Sequence, residues 1–153
     1  TSLQQGKIEK WYQAVICGKP VDNNGTYVDY LKQDKKNNCS RIVDKSDPDG
    51  KRAELEYKVL DCIQTEEKDP QYLSLVEIKL LTGRHHQIRV QFSGHGTPLY
   101  GDGKYGNNEK AVRKSLALCA CHLKFKHPAT GKIMDFQIKP DTGAFKLFSK
   151  SND

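Results

Sequence analysis

Two stretches of this sequence alternate strictly between apolar and polar residues, with a turn-forming segment between them. The first runs from 53 to 59 and the second from 76 to 80. Side chains of a β-strand point alternately to opposite faces, so this pattern is typical of a strand that buries one face. Residues 66–70, which end in an Asp-Pro pair, favour a turn between the two runs. We predict that the two strands pair as an antiparallel hairpin.

Further segments predict strands on both sides of this hairpin. Residues 11–17 are rich in β-formers and end before Gly18, and residues 26–31 predict a short second strand. Near the end of the chain, 116–125 and 133–138 are strand-like and are joined by a Pro-Ala-Thr-Gly turn. The expected fold class is therefore α+β, with a mostly antiparallel mixed sheet and short helices.

One segment changes to a helical period. Ile88 and Phe92 are four residues apart, as on one face of a helix. Thr82 is a candidate cap for a short helix that starts near His85, and Gly94 and Gly96 are expected to end it. The glycine-rich stretch from 97 to 108 then predicts a loop.

Length and charge limit the class of protein. The 153 residues are expected to form a single domain, 1–153, with no run of apolar residues long enough to span a membrane. The net charge of +6 favours a polyanionic partner, with nucleic acid ahead of a membrane surface, although many basic domains have no such partner. An odd number of cysteines, five, indicates reduced thiols and a cytoplasmic location.

A metal site is not expected. Cys119, Cys121, His122 and His127 lie close together in sequence. Their spacing does not match the paired ligands of structural zinc sites. On a strand, Cys119 and Cys121 also point to the opposite face from His122. Core cysteines are the preferred interpretation.

The segment 32–52 is polar and carries seven lysines and arginines. Turn signals at Asn37-Asn38 and at 47–50 predict a loop. A solvated loop is one interpretation, and a basic arm that follows RNA phosphates through residues such as Lys35 and Lys36 is the other.

Residues 81–89, L-T-G-R-H-H-Q-I-R, place two arginines and two histidines directly after a predicted strand. We call this stretch the arginine segment. On a helix, Arg89 lies on a different face from Ile88 and Phe92, so it is able to reach a site while they join the core. A partly buried arginine needs a planar acceptor such as a carboxylate or phosphate. The residues alone do not distinguish a stabilising ion pair from a functional one.

Tyr12 lies in the first predicted strand, in the run Lys10-Trp11-Tyr12-Gln13-Ala14. A tyrosine on a strand is usually a core residue. Its flat ring and polar tip also suit it as a platform on which a nucleobase stacks. Periodicity does not decide between the two, because the whole strand is predicted to be buried.

Three segments together resemble the RluA-type RNA pseudouridine synthases. The run 10–14 resembles the family's K-x-Y-x-A strand, and the arginine segment resembles its L-x-T-G-R-x-H-Q-I-R motif. Residues 96–106 resemble its G-x-P-x-x-G-D-x-x-Y-G loop, and 116–140 resembles its closing hairpin. The resemblance covers nearly the whole chain in the correct order.

The resemblance implies isomerisation of uridine to pseudouridine in ribosomal or transfer RNA, without metal or organic cofactor. The base would leave its stack to reach the site. The family pattern implies that Tyr12 packs against the flipped uracil and assists proton removal from C5. It implies that Arg89 pairs with the catalytic aspartate and keeps it ionised. Among the expected substrate and RNA-binding residues, Arg84, His86 and Gln87 would shape the site or touch RNA. The others are Lys10, Lys35 and Lys36.

The sequence also departs from the family pattern. The family's nucleophilic aspartate lies in an R-L-D segment ahead of the K-x-Y strand, and no R-L-D occurs here. We therefore expect the chain alone to be inactive, with Arg89 lacking its carboxylate partner, and Asp102 matches a different position. His85 stands where the family usually has a small hydroxyl residue. The alternative is a degenerate RNA-binding module without catalysis, and the sequence does not indicate an oligomeric state.

Overall fold

The computed structural model describes residues 8–106 and 115–148. One antiparallel sheet of seven strands in the order β3-β2-β4-β5-β1-β6-β7 dominates it. The strands are β1 Ile8–Cys17, β2 Asn24–Asp34, β3 Cys39–Val43, β4 Lys51–Gln64, β5 Tyr72–Leu80, β6 Leu118–Lys126 and β7 Ile133–Gln137. Helix α1 spans Gln87–Gly94, and a short 3-10 helix spans Gly143–Leu147. The α+β class with antiparallel pairing is confirmed.

The predicted central hairpin is confirmed. β4 and β5 pair antiparallel, with Leu55 opposite Leu80 and Tyr57 opposite Ile78. β1 then pairs with β5 so that Tyr12 lies opposite Ile78. Tyr12, Leu55, Tyr57, Ile78 and Leu80 therefore lie on one face of the sheet.

Helix α1 packs on that face. Ile88 and Phe92 are buried with Leu55, Ile78 and Ala14 in the largest core cluster, as their spacing predicted. A second cluster on the opposite face contains Val15 and Leu73, and the 3-10 helix covers it with Phe145. The sheet thus has a core on both faces, and α1 covers the face that carries Tyr12.

The prediction of a loop over 32–52 is wrong. β2 continues to Asp34, a turn follows, and β3 returns along it from Cys39. Leu31 and Ser40 are buried, which supplies the inward-facing residues that strand pairing needs. The many charged residues of this segment occupy the turn and the outward-facing positions. For that reason the sequence pattern did not indicate strands here.

The predicted helix cap is also wrong. His86, not Thr82, is the residue that precedes the helix, and no side chain caps the first turn. The hydroxyl of Thr82 donates instead to Oε1 of Gln87 at 2.8 Å. Thr82 therefore braces the turn before the helix and leaves the first helical N–H groups to other partners.

The structure also bears on the expectations about cysteines, metal sites and membrane spans. All five cysteines are described and form no disulfide. In the described ranges, no group of three or more His, Cys, Asp or Glu side chains is arranged to hold a metal ion. No helix of the described residues has the length and apolar character needed to cross a bilayer.

Candidate active site and RNA-binding surface

The antiparallel order brings most of the predicted site residues to one end of the sheet. β1 begins there, β5 ends there, and the turn between β2 and β3 lies there as well. We call this the basic end, and it carries Lys10, Lys35, Lys36, Arg52 and Arg84. Neighbouring strands are about 4.8 Å apart, so β1 and β2, three positions apart, are separated by about 14 Å.

The turn that presents Arg84 is fixed by Gln87. The Gln87 side chain is only 3% exposed. Its Oε1 accepts from the backbone N–H of Arg84 at 2.9 Å, and its Nε2 donates to the carbonyl of Glu54 at 3.1 Å. The prediction that Gln87 binds RNA directly is not supported by this geometry, because both ends of its amide are used within the protein. Gln87 shapes the turn.

Arg84 itself is partly exposed. Its Nε donates to the carbonyl of Arg52 at 2.8 Å, which directs the guanidinium along the start of β4. In the part of the chain that the structure describes, no carboxylate forms an ion pair with it. Its two terminal NH2 groups therefore remain available to an anion.

Arg89 has a different environment. Its Nε and Nη2 donate to Oδ2 and Oδ1 of Asp102 at 3.0 and 2.8 Å. The guanidinium also lies 5.0 Å from the centre of the Tyr105 ring. The expectation that Arg89 lacks a carboxylate partner in this chain is wrong. A two-point contact of this kind fixes both side chains.

Asp102 is fully buried, with 0% exposure of its side chain. Its Oδ1 also accepts from the backbone N–H groups of Lys104 and Tyr105 at 3.2 and 3.1 Å. Burial raises the pKa of this carboxyl, but the Arg89 guanidinium and the two N–H groups outweigh it and hold the pKa below its usual range. Asp102 is thus an ionised residue that organises the 97–106 loop, and its enclosure keeps it from attacking a substrate.

Tyr12 lies at the margin of the largest core cluster, on the face covered by α1. Its ring is partly buried, and its hydroxyl forms no hydrogen bond with any described residue. Burial raises the pKa of this phenol, so it stays neutral near neutral pH. Arg89 bonds to Asp102 and lies over the Tyr105 ring, and no hydrogen bond joins Arg89 to Tyr12.

The remaining predicted residues occupy three positions at the basic end. Lys10 lies near the start of β1, opposite Leu123 of β6. Lys35 and Lys36 are exposed in the turn between β2 and β3. His86 is partly buried, and its Nδ1 is 2.6 Å from the hydroxyl of Tyr105. Burial lowers the pKa of His86, and its electrostatic interactions with His85, Arg89 and Lys104 lower it further.

Three contributors to the site were not predicted from the sequence: Tyr105, Ser40 and His85. Tyr105 joins the 97–106 loop to β3 by accepting from the backbone N–H of Ser40 at 3.0 Å. Ser40 in turn lies 2.8 Å from Nδ1 of His85. The Asp-x-x-Tyr spacing at 102–105 and the unusual His85 were visible as sequence signals. Their partners on β3 were not, because that strand had been predicted to be a loop.

A cavity of about 730 Å³ lies at the opposite end of the sheet. Its lining includes Thr65, Glu66, Glu67 and Asp69, and none of the predicted site residues. A cavity lined by several carboxylates repels a phosphate backbone. The basic end, rather than this cavity, is the candidate site.

Comparison with known proteins identifies related sequences. The family model described as RNA pseudouridylate synthase matches residues 1–94. An uncharacterised RNA pseudouridine synthase, YlyB of Bacillus subtilis, is 37% identical over 85% of this chain and 40% of its own length. The ribosomal large subunit pseudouridine synthase D of Zymomonas mobilis is 35% identical over 86% of this chain and 41% of its own length. The chain therefore spans about two fifths of these relatives.

Solved structures share the fold at lower identity. Human RNA pseudouridylate synthase domain containing 1 superposes with a TM-score of 0.76 at 22% identity, covering 92% of this chain and 58% of the human chain. Human RNA pseudouridylate synthase domain containing 4 gives 0.73 at 22% identity, over 96% and 64%. At this identity the likeness concerns the fold alone.

Proposed function

This chain belongs to the RNA pseudouridylate synthase family, and we propose that it forms part of an enzyme that isomerises uridine to pseudouridine in structured RNA. The C1′–N1 glycosidic bond breaks, the uracil rotates, and the ring is rejoined to the ribose through C5. The single observation that carries the proposal is Tyr12, whose aromatic ring lies on the strand leading from the basic end and whose hydroxyl has no hydrogen-bond partner among the described residues.

Tyr12 serves as the wall against which the flipped uracil packs. A base removed from its stack loses contact with its neighbours, and stacking on an aromatic ring restores about 1–3 kcal/mol. Because burial keeps the phenol neutral, Tyr12 contributes as a surface and hydrogen-bond donor. A proton acceptor at C5 would need the ionised form, so we give Tyr12 no role as a base.

Arg84 is the arginine that faces the reacting carboxylate or a phosphate of the RNA. Its terminal NH2 groups have no carboxylate partner among the described residues, whereas Arg89 is committed to Asp102. We therefore assign to Arg84 the role that the family resemblance first suggested for Arg89. Arg89 acts indirectly, because its pair with Asp102 fixes the loop on which Tyr105 lies.

Lys10, Lys35 and Lys36 form the RNA-binding surface around this site. Each is a cation at the basic end, and each counterion released from the RNA backbone strengthens binding and makes it depend on salt. We propose that the carboxylate nucleophile lies outside this chain, since Asp102 is enclosed and no R-L-D segment occurs in the sequence. On this basis the chain alone binds RNA without turnover, and the reduced cysteines suit a cytoplasmic protein.

Large-subunit ribosomal RNA is the first substrate to test, because a relative carries that description; transfer RNA is the second. RNA labelled with tritium at C5 of uridine releases the label when C5 forms the new glycosidic bond. We expect the complete gene product to release tritium from one of these RNAs, and the isolated chain to bind the same RNA without release. Release by the isolated chain would overturn the assignment of the nucleophile to a position outside it.

A degenerate RNA-binding module is the second candidate. The observation that favours it is the enclosure of Asp102, which leaves the one carboxylate held by the arginine segment unable to react. The same assay separates the two: binding without tritium release by the complete gene product, on ribosomal and transfer RNA alike, supports the binding module.

A further inference from the structure

The turn between β2 and β3 is attached to the arginine segment through His85. Nδ1 of His85 lies 2.8 Å from the hydroxyl of Ser40, and its Nε2 lies 3.0 Å from Oδ1 of Asn38. A neutral imidazole satisfies both contacts when Nε2–H donates to Asn38 and Nδ1 accepts from Ser40. One side chain therefore connects two positions of the hairpin to the residue beside Arg84.

A second set of contacts holds the hairpin from the 97–106 loop. The hydroxyl of Tyr105 accepts from the backbone N–H of Ser40 at 3.0 Å. The ammonium of Lys104 donates to the carbonyl of Asn38 at 2.5 Å. Together, Asn38, Ser40, His85, Lys104 and Tyr105 form what we call the hairpin cluster. Its members come from three separate segments, so it fixes their relative positions.

The backbone is strained on both sides of this cluster. Asn38 and His86 have φ values of 49° and 53°, and they are the non-glycine residues with positive φ in the described ranges. This conformation is uncommon for residues with a side chain, although Asn and His adopt it more readily than most. Such conformations persist where surrounding contacts hold them, and they are frequent at functional sites. Here the two flank the contact between the hairpin and the arginine segment.

The hairpin turn that the cluster holds is exposed and carries two cations. Lys35 and Lys36 form no ion pair with any described residue, while the neighbouring carboxylate of Asp34 accepts from the side chain of Asn37 at 2.7 Å. Long flexible lysines on a mobile turn lose affinity, because binding must then order the backbone as well as the side chains. A turn fixed in advance avoids the backbone part of this cost.

We propose that His85 is a positioning residue that fixes the β2–β3 turn as a second RNA-contacting arm, so that Lys35 and Lys36 and the Arg84 site grip one continuous RNA backbone. The proposal rests on the proposed function in taking RNA as the partner. It concerns where the RNA runs: from Tyr12 on β1 across the basic end to the β2–β3 turn, which is about 14 Å of sheet to β2 and about 19 Å to β3. His85 itself does not contact the reacting atoms.

A double-mutant cycle tests this coupling. The binding constant of a folded, transcribed large-subunit ribosomal RNA domain is measured over a series of salt concentrations. The four proteins are the wild type, His85→Ala, Lys35→Ala/Lys36→Ala, and the triple variant. We expect the lysine pair to lower affinity about tenfold and to reduce the salt slope by about 1 to 2. In the His85→Ala background the same lysine substitutions should have less than half of that effect on the logarithm of the affinity.

Two further variants distinguish the loss of the His85 contacts from a general loss of folding. Ser40→Ala removes one contact of His85 with a small change in volume and should weaken the effect of the lysine pair in the same direction. His85→Gln retains a donor and an acceptor and should restore much of the coupling. Thermal denaturation of each variant checks that it is folded.

Additive effects of His85→Ala and the lysine pair would overturn the proposal, as would unchanged RNA binding by the lysine pair in the wild-type background. If His85→Ala fails to fold, additivity of Ser40→Ala with the lysine pair overturns it in the same way. Failure of the proposed function is recognised separately, because tritium release from the same RNA by the complete gene product does not depend on the outcome of the cycle.

Discussion

Arg84 and Arg89 lie five residues apart in the same segment, yet the fold uses them in opposite ways. The turn that carries Arg84 is partly exposed, and its guanidinium has no carboxylate partner among the described residues. The helix that carries Arg89 directs its guanidinium to Asp102, a buried carboxylate that four donor contacts satisfy. The sequence alone did not separate the two arginines, whereas the structure separates them by the partners and burial of their guanidinium groups.

The largest expected effect comes from breaking the buried pair. Removing one partner of a buried ion pair costs about 3–5 kcal/mol, and we expect the lower part of this range for Asp102→Ala because Arg89 retains 20% exposure. For a domain of this size, about 3 kcal/mol lowers the midpoint of thermal unfolding by about 6–12 °C. Thermal denaturation followed by circular dichroism measures it.

Asp141→Ala is the matched control. Asp141 is exposed and forms no ion pair or hydrogen bond with another described residue, so the substitution should change stability by less than about 0.5 kcal/mol. Equal midpoints for Asp102→Ala and Asp141→Ala would show that the Arg89–Asp102 pair does not support the fold.

An intermediate effect is expected at Tyr12. Tyr12→Leu removes the aromatic wall, and the loss of about 1–3 kcal/mol of stacking should reduce tritium release by the complete gene product about tenfold to a hundredfold. Tyr12→Phe keeps the ring and should retain most of the rate. If Phe and Leu are equally impaired, the hydroxyl rather than the ring is what the reaction needs.

The smallest effect is a pH dependence that comes from His86. Burial, followed by the positive charges around it, lowers the pKa of this imidazole in the folded protein. Its contribution to stability is therefore present above the unfolded pKa of about 6.5 and is lost as the pH falls through the lower folded value. Because the ring is partly exposed to solvent, we expect a loss below about 1 kcal/mol.

His86→Asn provides the comparison, since asparagine accepts the positive φ at this position. The free energy of unfolding from urea titrations at pH 7.5 and pH 5.5 should fall less in the variant than in the wild type. The other four histidines are common to both proteins, so the difference reports His86 together with its electrostatic interaction with His85. An identical fall in both would remove His86 as the source.

The parts of the fold that the sequence predicted in most detail are those with a clear period. The strands around Leu55 and Ile78 alternate, and Ile88 and Phe92 follow a helical spacing, so local side-chain pattern was sufficient for them. β3 was missed because its five residues are flanked by charged turns and its inward-facing Ser40 is polar. Its pairing with β2 depends on packing against neighbouring strands, which the local β-propensity of the residues does not predict.

The sequence predicted many of the residues of the candidate site, but it did not predict which of them contact one another. The arginine segment and the strand of Tyr12 were recognisable, and the fold brings Arg84 and the predicted lysines to one end of the sheet. The contact between Arg89 and Asp102 joins residues of a helix and a loop, and that between His85 and Ser40 joins residues 45 positions apart. Contacts at such separations depend on the sheet topology, which sequence patterning does not specify.

The most direct test of the assignment is tritium release by Arg84→Ala in the complete gene product, measured under single-turnover conditions beside its thermal unfolding. Removing a charged donor aimed at the reacting groups typically costs about 10²–10³ in rate. We therefore predict a loss of at least about a hundredfold in rate, with stability changed by less than about 0.5 kcal/mol. A wild-type rate in Arg84→Ala would contradict the division of roles between the two arginines.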